Sequence, residues 1–473
     1  MARARQGPAR PMTHELLIPG LALLAVLSQE ALLLCGLVIL LNAVDDFAVD
    51  LLTVPAWIAA RMQPLPAPPA QPGRFAVLVP AWDEAHVIAA MLRNTLARLD
   101  HPDFLVFVGV YPNDAATKAA VSSVRDPRIR CVVTSRPGPT TKADCLNHLW
   151  RAAKAEERES GRRFRAIVLH DAEDVVHADE LALFDQALER FDMVQIPVVP
   201  IADFASGFIA GHYLDEFATA HARDMMVRTW LRAPLPSAGV GTAIARDALA
   251  RLEGDDAKPF DEQSLTEDYE LGYRLHRLGM RGGMVRHRGK RGLVCVRAYF
   301  PDRLEAAVRQ KSRWLTGIGL SGWDRLGWAG GPAARWMLFR DRKGIVTAVV
   351  ALAGYAAFAA ILLQALARWW LAGAQGVAAV PVLPPASPFL VALMLAAGLV
   401  LAWRLLVRAA LTARVGGMIQ AVLSIPRAPV GNFVNALAAI RALGRYRQEV
   451  ESGRITPWDK TQHRFPDEVT LHG

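Results

Sequence analysis

Hydrophobic and polar positions change rhythm several times along this chain. Residues 16 to 41, "LLIPGLALLAVLSQEALLLCGLVILL", carry only Gln29 and Glu30 as strongly polar interruptions. Residues 345 to 363, "IVTAVVALAGYAAFAAILL", hold no charge, and a third apolar run, "FLVALMLAAGLVLAW", spans 389 to 403. No polar face recurs along these runs, and a bilayer core takes about 20 apolar residues per helix. The pattern predicts one transmembrane helix over 16–44 and two more within 336–410. A cleaved signal peptide suits the first run poorly, because its apolar stretch exceeds an h-region. A linker is expected over 45–74, ending in the stiff, proline-rich "QPLPAPPAQPG".

Beyond that linker the texture is different. Short apolar runs, "FAVLVP", "FLVFVGV", "IRCVVTS", "AIVLH" and "MVQIPVVPI", alternate with helical patterns such as "AHVIAAMLRNTLARLD" and "ADELALFDQALERF". Nearly continuous apolar strands alternating with helices predict an α/β domain over 75–335, with a parallel sheet covered on both faces. After 411 apolar stretches alternate with arginines, which reads as helices lying in the membrane surface.

Charge adds an orientation. Arg340, Arg342 and Lys343 precede the second apolar run, Arg404, Arg408 and Arg414 end the third, and the connector "LAGAQGVAAVPVLPPASP" has no Lys or Arg. Both flanks, and the α/β domain with them, are expected in the cytoplasm. The basic tail over 1–15, with Arg3, Arg5 and Arg10, and the acids Asp45, Asp46 and Asp50 after the first run point the other way for that helix. The carboxyl-terminal pair is given more weight because the chemistry below needs a cytoplasmic substrate. The net charge of +9 suits contact with anionic lipid headgroups. No recognition motif accompanies it, so nucleic acid is not an expected partner. The basic cluster "VRHRGKR" (285 to 291) reads as a solvated loop, phosphate contact being its lesser alternative. Cys35, Cys131, Cys145 and Cys295 lack metal-type spacing and read as structural thiols.

Candidate chemistry gathers where the strands end. The first runs out into Asp83 and Glu84, the second into Asn113 and Asp114, the fourth into "HDAEDVVH", residues 170 to 177. Ligands bind beyond the carboxyl ends of such strands, so one acidic rim is expected. Asp171 and Glu173 share a face in extended backbone. With Asp174 they offer hard oxygen ligands of the kind that hold Mg²⁺ or Mn²⁺ beside phosphate oxygens. His170 and His177 raise a zinc reading, which the excess of carboxylates disfavours. There is no internal repeat, no Gly-rich dinucleotide fingerprint and no Walker loop. Further on, "SLTEDYELGYRLHRLG" puts Glu267 and Asp268 at the start of an amphipathic helix, where Thr266 alone would supply a cap. "AVRQKSRWLTGI" places Gln310 on one helical face with Arg313 and Trp314.

The ordered set Asp114, Asp171-x-Glu173, "TED" and Gln310-x-x-Arg313-Trp314 resembles the processive family 2 glycosyltransferases, inverting enzymes that include cellulose, chitin and hyaluronan synthases. The resemblance implies a GT-A fold, a UDP-sugar donor, a glycan acceptor and a divalent metal, Mg²⁺ or Mn²⁺. It assigns Glu84 and Asp114 to the nucleoside and Asp171 with Glu173 to the metal, although the second acid of the D-x-D is a Glu here. Asp268, beside Glu267, would be the catalytic base, and Gln310, Arg313 and Trp314 would flank donor and acceptor. "VGVYPNDAATK", "RPGPTTKADCLN", "PSAGVGTAIAR", "FRDRKG" and "WDKTQHRFP" resemble, within the family, bacterial inner-membrane synthases that work with an outer-membrane export or receptor partner. These motifs add Lys142, Asp144, Gly239, Gly241 and Thr242 as substrate-binding residues. Longer members carry a cyclic-di-GMP-binding module, so for a sequence ending at Gly473 such control is expected to be absent or supplied by another protein. One base then suffices, since a nucleoside diphosphate leaves as an anion that a metal and fixed cations neutralise. The expected activity is transfer of a sugar, by resemblance an N-acetylhexosamine, to a growing polysaccharide. The alternatives are a non-processive transferase with a lipid acceptor and a non-catalytic scaffold or phage-entry component.

Overall fold

The computed structural model describes residues 13–202, 207–254, 256–375, 386–453 and 463–466. The arginines of the basic tail, residues 376–385 of the connector and the start of "WDKTQHRFP" lie outside them. Helix α1 (Thr13–Met62) comes first. The α/β region then runs β1 (Phe75–Pro80), α2 (Ile88–Arg98), β2 (Phe104–Val110), α3 (Ala115–Ser122), β3 (Ile129–Val133), α4 (Lys142–Ser160), β4 (Ala166–Leu169), α5 (Glu180–Ala187), β5 (Met193–Gln195) and β6 (Val198–Pro200). It continues through α6 (Ile209–Thr219), α7 (Met225–Trp230), β7 (Thr242–Ala245), α8 (Arg246–Ala250), α9 (Glu267–Arg277), β8 (Gly282–Met284), β9 (Arg288–Gly289), β10 (Gly292–Leu293), β11 (Val296–Ala298), α10 (Leu304–Leu315) and α11 (Ser321–Leu326). Two long helices follow, α12 (Pro332–Gln375) and α13 (Pro388–Ser452), the second broken at Gly417, whose φ of 79° lies in the left-handed region.

Seven strands form one sheet in the order β3-β2-β1-β4-β7-β5-β8. β1 to β4 pair in parallel, and β7 runs antiparallel to both β4 and β5, so the sheet is mixed, as the GT-A expectation requires. Every residue of β1, β2 and β4 is buried, which is why these strands read as unbroken apolar runs. On β1, Phe75, Val77 and Val79 join one apolar cluster with Met91 and Phe184, while Ala76 and Leu78 join another with Leu149 and Trp150. The run "MVQIPVVPI" is two strands, not one. Pro197 lacks the N–H that would continue a ladder, and β6 leaves the sheet to pair with β11.

The chain divides into two compact units, residues 1–47 with 346–404, and residues 48–345 with 405–473. In the first, Gly36 lets helices approach closely: a Cβ there would sit 2.6 Å from Met394 and 2.9 Å from Leu393. Ser28 bonds Gln364 at 3.3 Å, and Asp46 pairs with Arg404. Among the described residues, three helices are long and apolar enough to cross a membrane. The expected linker over 45–74 is helical as far as Met62. Its acids do not end the helix because they are matched from elsewhere, Asp50 by Arg223 at 2.7 Å. The stretch after 411 is helical and leaves Met418, Ile419, Val422 and Ile440 exposed while other residues pack inward. Ser424, Arg427, Val434 and Ala438 are buried, and Arg427 lies 3.6 Å from Asp215 of α6.

Candidate functional site

β1 and β4 end beside each other, and α4, α9 and α10 bring further charge to the same edge. Together they line a cavity that includes Glu84, Lys142, Asp171, Glu173, Asp174, Glu267, Asp268, Gln310, Arg313 and Trp314. Lys142, the first residue of α4, reaches Asp171 at 2.6 Å. Burial disfavours its charge, but Asp171, Glu267 and Asp268 outweigh that and raise its pKa, so it is a fixed cation. Helix α9 starts at Glu267 without a side-chain cap from Thr266. The Thr266 side chain packs instead against Gly317, where a Cβ would lie 2.5 Å from its Oγ1.

Asp268 accepts from the Tyr269 N–H at 2.7 Å through Oδ1. Its Oδ2 faces Gly239, where a Cβ would lie 2.4 Å from that oxygen and 3.4 Å from Lys142 Nζ. Gly239 has φ 77°, so only glycine combines this backbone with that clearance. We predict that Gly239→Ala lowers kcat by roughly tenfold or more, through a displaced Asp268. Steady-state kinetics would check it, an unchanged kcat removing the contact from consideration. Burial, then Asp268, pushes Glu267 up to about 8. Asp268 is also raised by burial, with Lys142 pulling the other way.

A second group faces the first across the cavity. His463 Nδ1 lies 2.8 Å from Glu84 Oε1 and 3.3 Å from Glu173 Oε2. One ligand atom from each of the three falls within 4.8 Å of the others. Glu173 Oε2 is buried and receives no hydrogen bond among the described residues. Burial pushes Glu173 up to about 8 against the pull of His463. Burial opposes the charge of His463, yet Glu173 and Glu84 raise it to about 9. Arg464 pairs with Asp302 at 3.2 Å and lies over the Tyr299 ring, and Phe465 packs against the core, pinning this segment. His463 received no role from the sequence. Its one signal was its place in "WDKTQHRFP", since it meets Glu84 from 379 residues away.

Other expected site residues are placed differently. Asp114 caps α3, its Oδ1 accepting from Thr117 at 3.1 Å and its Oδ2 from the Asp83 N–H at 2.6 Å, and it does not line the cavity. Asp174 does line it, but its Oδ2 serves His170 at 2.9 Å and the Asp171 N–H at 3.0 Å, with Glu180 on the far side of His170. Asp144 bonds Arg136 at 2.7 Å, outside the cavity. Thr242 hands its hydroxyl proton to Gln195 at 2.7 Å, and a Cβ at Gly241 would strike Val296 at 2.7 Å. Both lie behind the wall that Ala238 and Val240 form. Gln310 lines the cavity with a buried Oε1 that has no hydrogen-bond partner among the described residues. Trp314 meets Phe217 and Tyr213 edge-on at 6.3 and 6.1 Å, and with Phe217 and Phe300 it makes an aromatic wall.

Helix α9 is anchored from behind. Tyr269 and Tyr273 donate to Asp341 of α12 at 2.8 and 2.7 Å, Arg228 pairs with the same carboxylate, and Gly272 abuts the Leu235 carbonyl. Asp341→Ala would strand a buried guanidinium, and we predict a loss of about 3–5 kcal/mol. A calorimetric melt would check it, an unshifted Tm ruling the anchor out.

A model of the family "Glycosyltransferase like family 2" matches residues 72–317. Bacteriophage adsorption protein B of Escherichia coli (strain K12) is 36% identical over 472 residues, covering 91% of this chain and 61% of that protein. Bacteriophage N4 adsorption protein B of Escherichia coli O157:H7 gives the same figures. The chain thus spans 61% of the length of these curated relatives. Among solved structures, the mannosyltransferase PcManGT from Pyrobaculum calidifontis, in complex with GDP-Man and Mn²⁺, is 19% identical with a TM-score of 0.48, covering 84% of this chain and 99% of that one. Glucosyl-3-phosphoglycerate synthase from Mycobacterium tuberculosis, in complex with Mn²⁺ and UDP-glucose, is 16% identical with a TM-score of 0.33, over 55% of this chain and 81% of that one.

Proposed function

Because the chain belongs to the family 2 glycosyltransferases, we propose that it is an inverting membrane enzyme that moves a sugar from a UDP-sugar donor to a growing polysaccharide. The motif resemblance implies an N-acetylhexosamine and a bacterial inner membrane, and the charge pattern a cytoplasmic domain. One observation supports this reading: Lys142, paired with Asp171 at 2.6 Å, lines the same cavity as Asp268. A cation there would suit a leaving diphosphate, and a carboxylate in the same cavity could take a proton from an attacking hydroxyl.

In this mechanism Asp268 removes the acceptor hydroxyl proton as the oxygen bonds to the anomeric carbon and the bond to the diphosphate breaks. Lys142 and Arg313 supply positive charge to the departing oxygens. The apolar face of Trp314, with Phe217 and Phe300, seats the acceptor sugar. The set of two carboxylates and one imidazole, with Glu173 Oε2 buried and accepting no hydrogen bond among the described residues, suits Mg²⁺ or Mn²⁺. Glu84, Glu173 and His463 would hold it, in place of the expected trio with Asp171 and Asp174. When bound, the ion neutralises charge on the diphosphate.

Membranes containing the full chain, incubated with a panel of UDP-sugars, test the reading. UDP release with one donor and a long product is expected. Addition of a single sugar to lipid would transfer the assignment to the non-processive alternative, and no release with any donor would end it.

A further inference from the structure

The start of the basic loop that the sequence left as solvated lines a second recess. There the last turns of α1 meet α7, β8 and the start of "VRHRGKR", around a cavity of about 640 Å³. Arg190, Arg232, Arg281, Arg286 and His287 line it, and no Asp or Glu does. Arg190 is spent on structure, donating to the carbonyls of Gln63 and Pro64 at 3.2 and 2.8 Å and so fixing the exit of α1. The guanidinium groups of Arg232, Arg281 and Arg286 have no acceptor among the described residues. Arg281 rests over the Phe191 ring at 5.7 Å. Arg286 is half-buried, and burial together with Arg414 and Arg288 pulls it down to about 10. Arg232 and Arg281 are exposed, and the nearby Asp192 carboxylate accepts from the Arg281 backbone N–H at 2.8 Å, so the three guanidinium groups are open to an added anion. Their planar forks match the oxygens of a phosphate.

We propose that this recess binds the headgroup of an anionic phospholipid. The lipid source follows from the wall formed by α1. On the side turned away from the recess, Leu51, Val54, Ile58 and Met62 recur every three or four residues and stand exposed, an apolar stripe that needs a bilayer. Trp230, exposed at the rim, is the residue type found at headgroup level. Trp57, on the same turns of α1, carries Arg414 over its ring at 4.1 Å. The recess therefore lies at headgroup depth, where a polar phosphodiester and not a soluble anion is the abundant ligand.

Native mass spectrometry of the full chain, released from nanodiscs of mixed phosphatidylglycerol and phosphatidylcholine, tests this. The wild type is expected to retain phosphatidylglycerol in preference. The Arg281→Gln, Arg286→Gln double variant is expected to lose that preference by about tenfold or more, with its sugar-transfer rate unchanged. If the double variant fails to fold, Arg281→Gln alone, at an exposed position, must weaken the preference several-fold. Equal retention of the two lipids by the wild type, or an undiminished preference in the folded variants, overturns the proposal. Glycerol phosphate and inorganic phosphate form the competing arm. Displacement of the lipid by either at micromolar concentration would assign the recess to a soluble phosphate ligand and also overturn it.

Discussion

Asp268→Asn is expected to reduce sugar transfer by about 10²–10⁴-fold while leaving UDP-sugar binding within a few-fold of wild type. The amide keeps the shape of the side chain and can still accept the Tyr269 N–H, now 2.7 Å from Oδ1, but it cannot take a proton. In the proposed mechanism donor binding rests on Lys142, Glu173 and their neighbours, which the substitution does not remove. Turnover and titration calorimetry with the donor separate the two effects, and undiminished turnover would withdraw the base assignment. A pH profile adds a second reading. Only ionised Asp268 acts as a base, and burial raises its pKa. Activity should therefore rise with pH through a limb lying above the ordinary carboxylate range. That limb should vanish from the residual activity of the variant.

Chelation should have an effect of similar size. Stripping the protein with EDTA is expected to abolish transfer, and added Mn²⁺ or Mg²⁺ to restore it. Glu173→Gln and His463→Ala should each weaken Mn²⁺ binding more than tenfold, read as free Mn²⁺ by electron paramagnetic resonance and so independently of catalysis. Glu173 Oε2 is already buried without a hydrogen bond, and Glu84 and His463 point ligand atoms into the same 4.8 Å cluster. Asp171→Asn is predicted to behave differently. Its carboxylate is committed to Lys142 at 2.6 Å, so its loss should impair turnover more than metal affinity. Full activity in a chelated protein shown to be free of metal would overturn this part of the mechanism. Binding unchanged in both Glu173→Gln and His463→Ala would instead move the ion elsewhere on the rim.

Positions legible from spacing share a feature: they are set locally. The strands β1, β2 and β4 announce themselves because both faces of each are buried, and their ends carry the acids by direct continuation of the chain. Glu267 and Asp268 open α9 because acids favour a helix amino terminus, whatever else they do. Asp114, Asp144 and Thr242 were harder to read. A buried side chain that caps a helix or steadies a loop looks, in a string of letters, like one that meets a ligand. Thr242 bonds Gln195, on β5, at 2.7 Å, and Asp174 bonds His170 at 2.9 Å, contacts that no local pattern of residues announces.

The amino-acid sequence by itself determined the apolar helices, the α/β texture and an acidic rim at the strand ends, because hydrophobic periodicity and strand exits depend on neighbours a few residues apart. Only the tertiary structure decided that β7 enters the sheet antiparallel, that Lys142 pairs with Asp171 in the cavity Asp268 also lines, and that His463 completes a three-donor cluster with Glu84 and Glu173. It also decided that unmatched arginines gather against the end of α1. These arrangements join segments far apart in the chain, and such meetings are set by the packing of the whole core, which no local pattern of residues encodes.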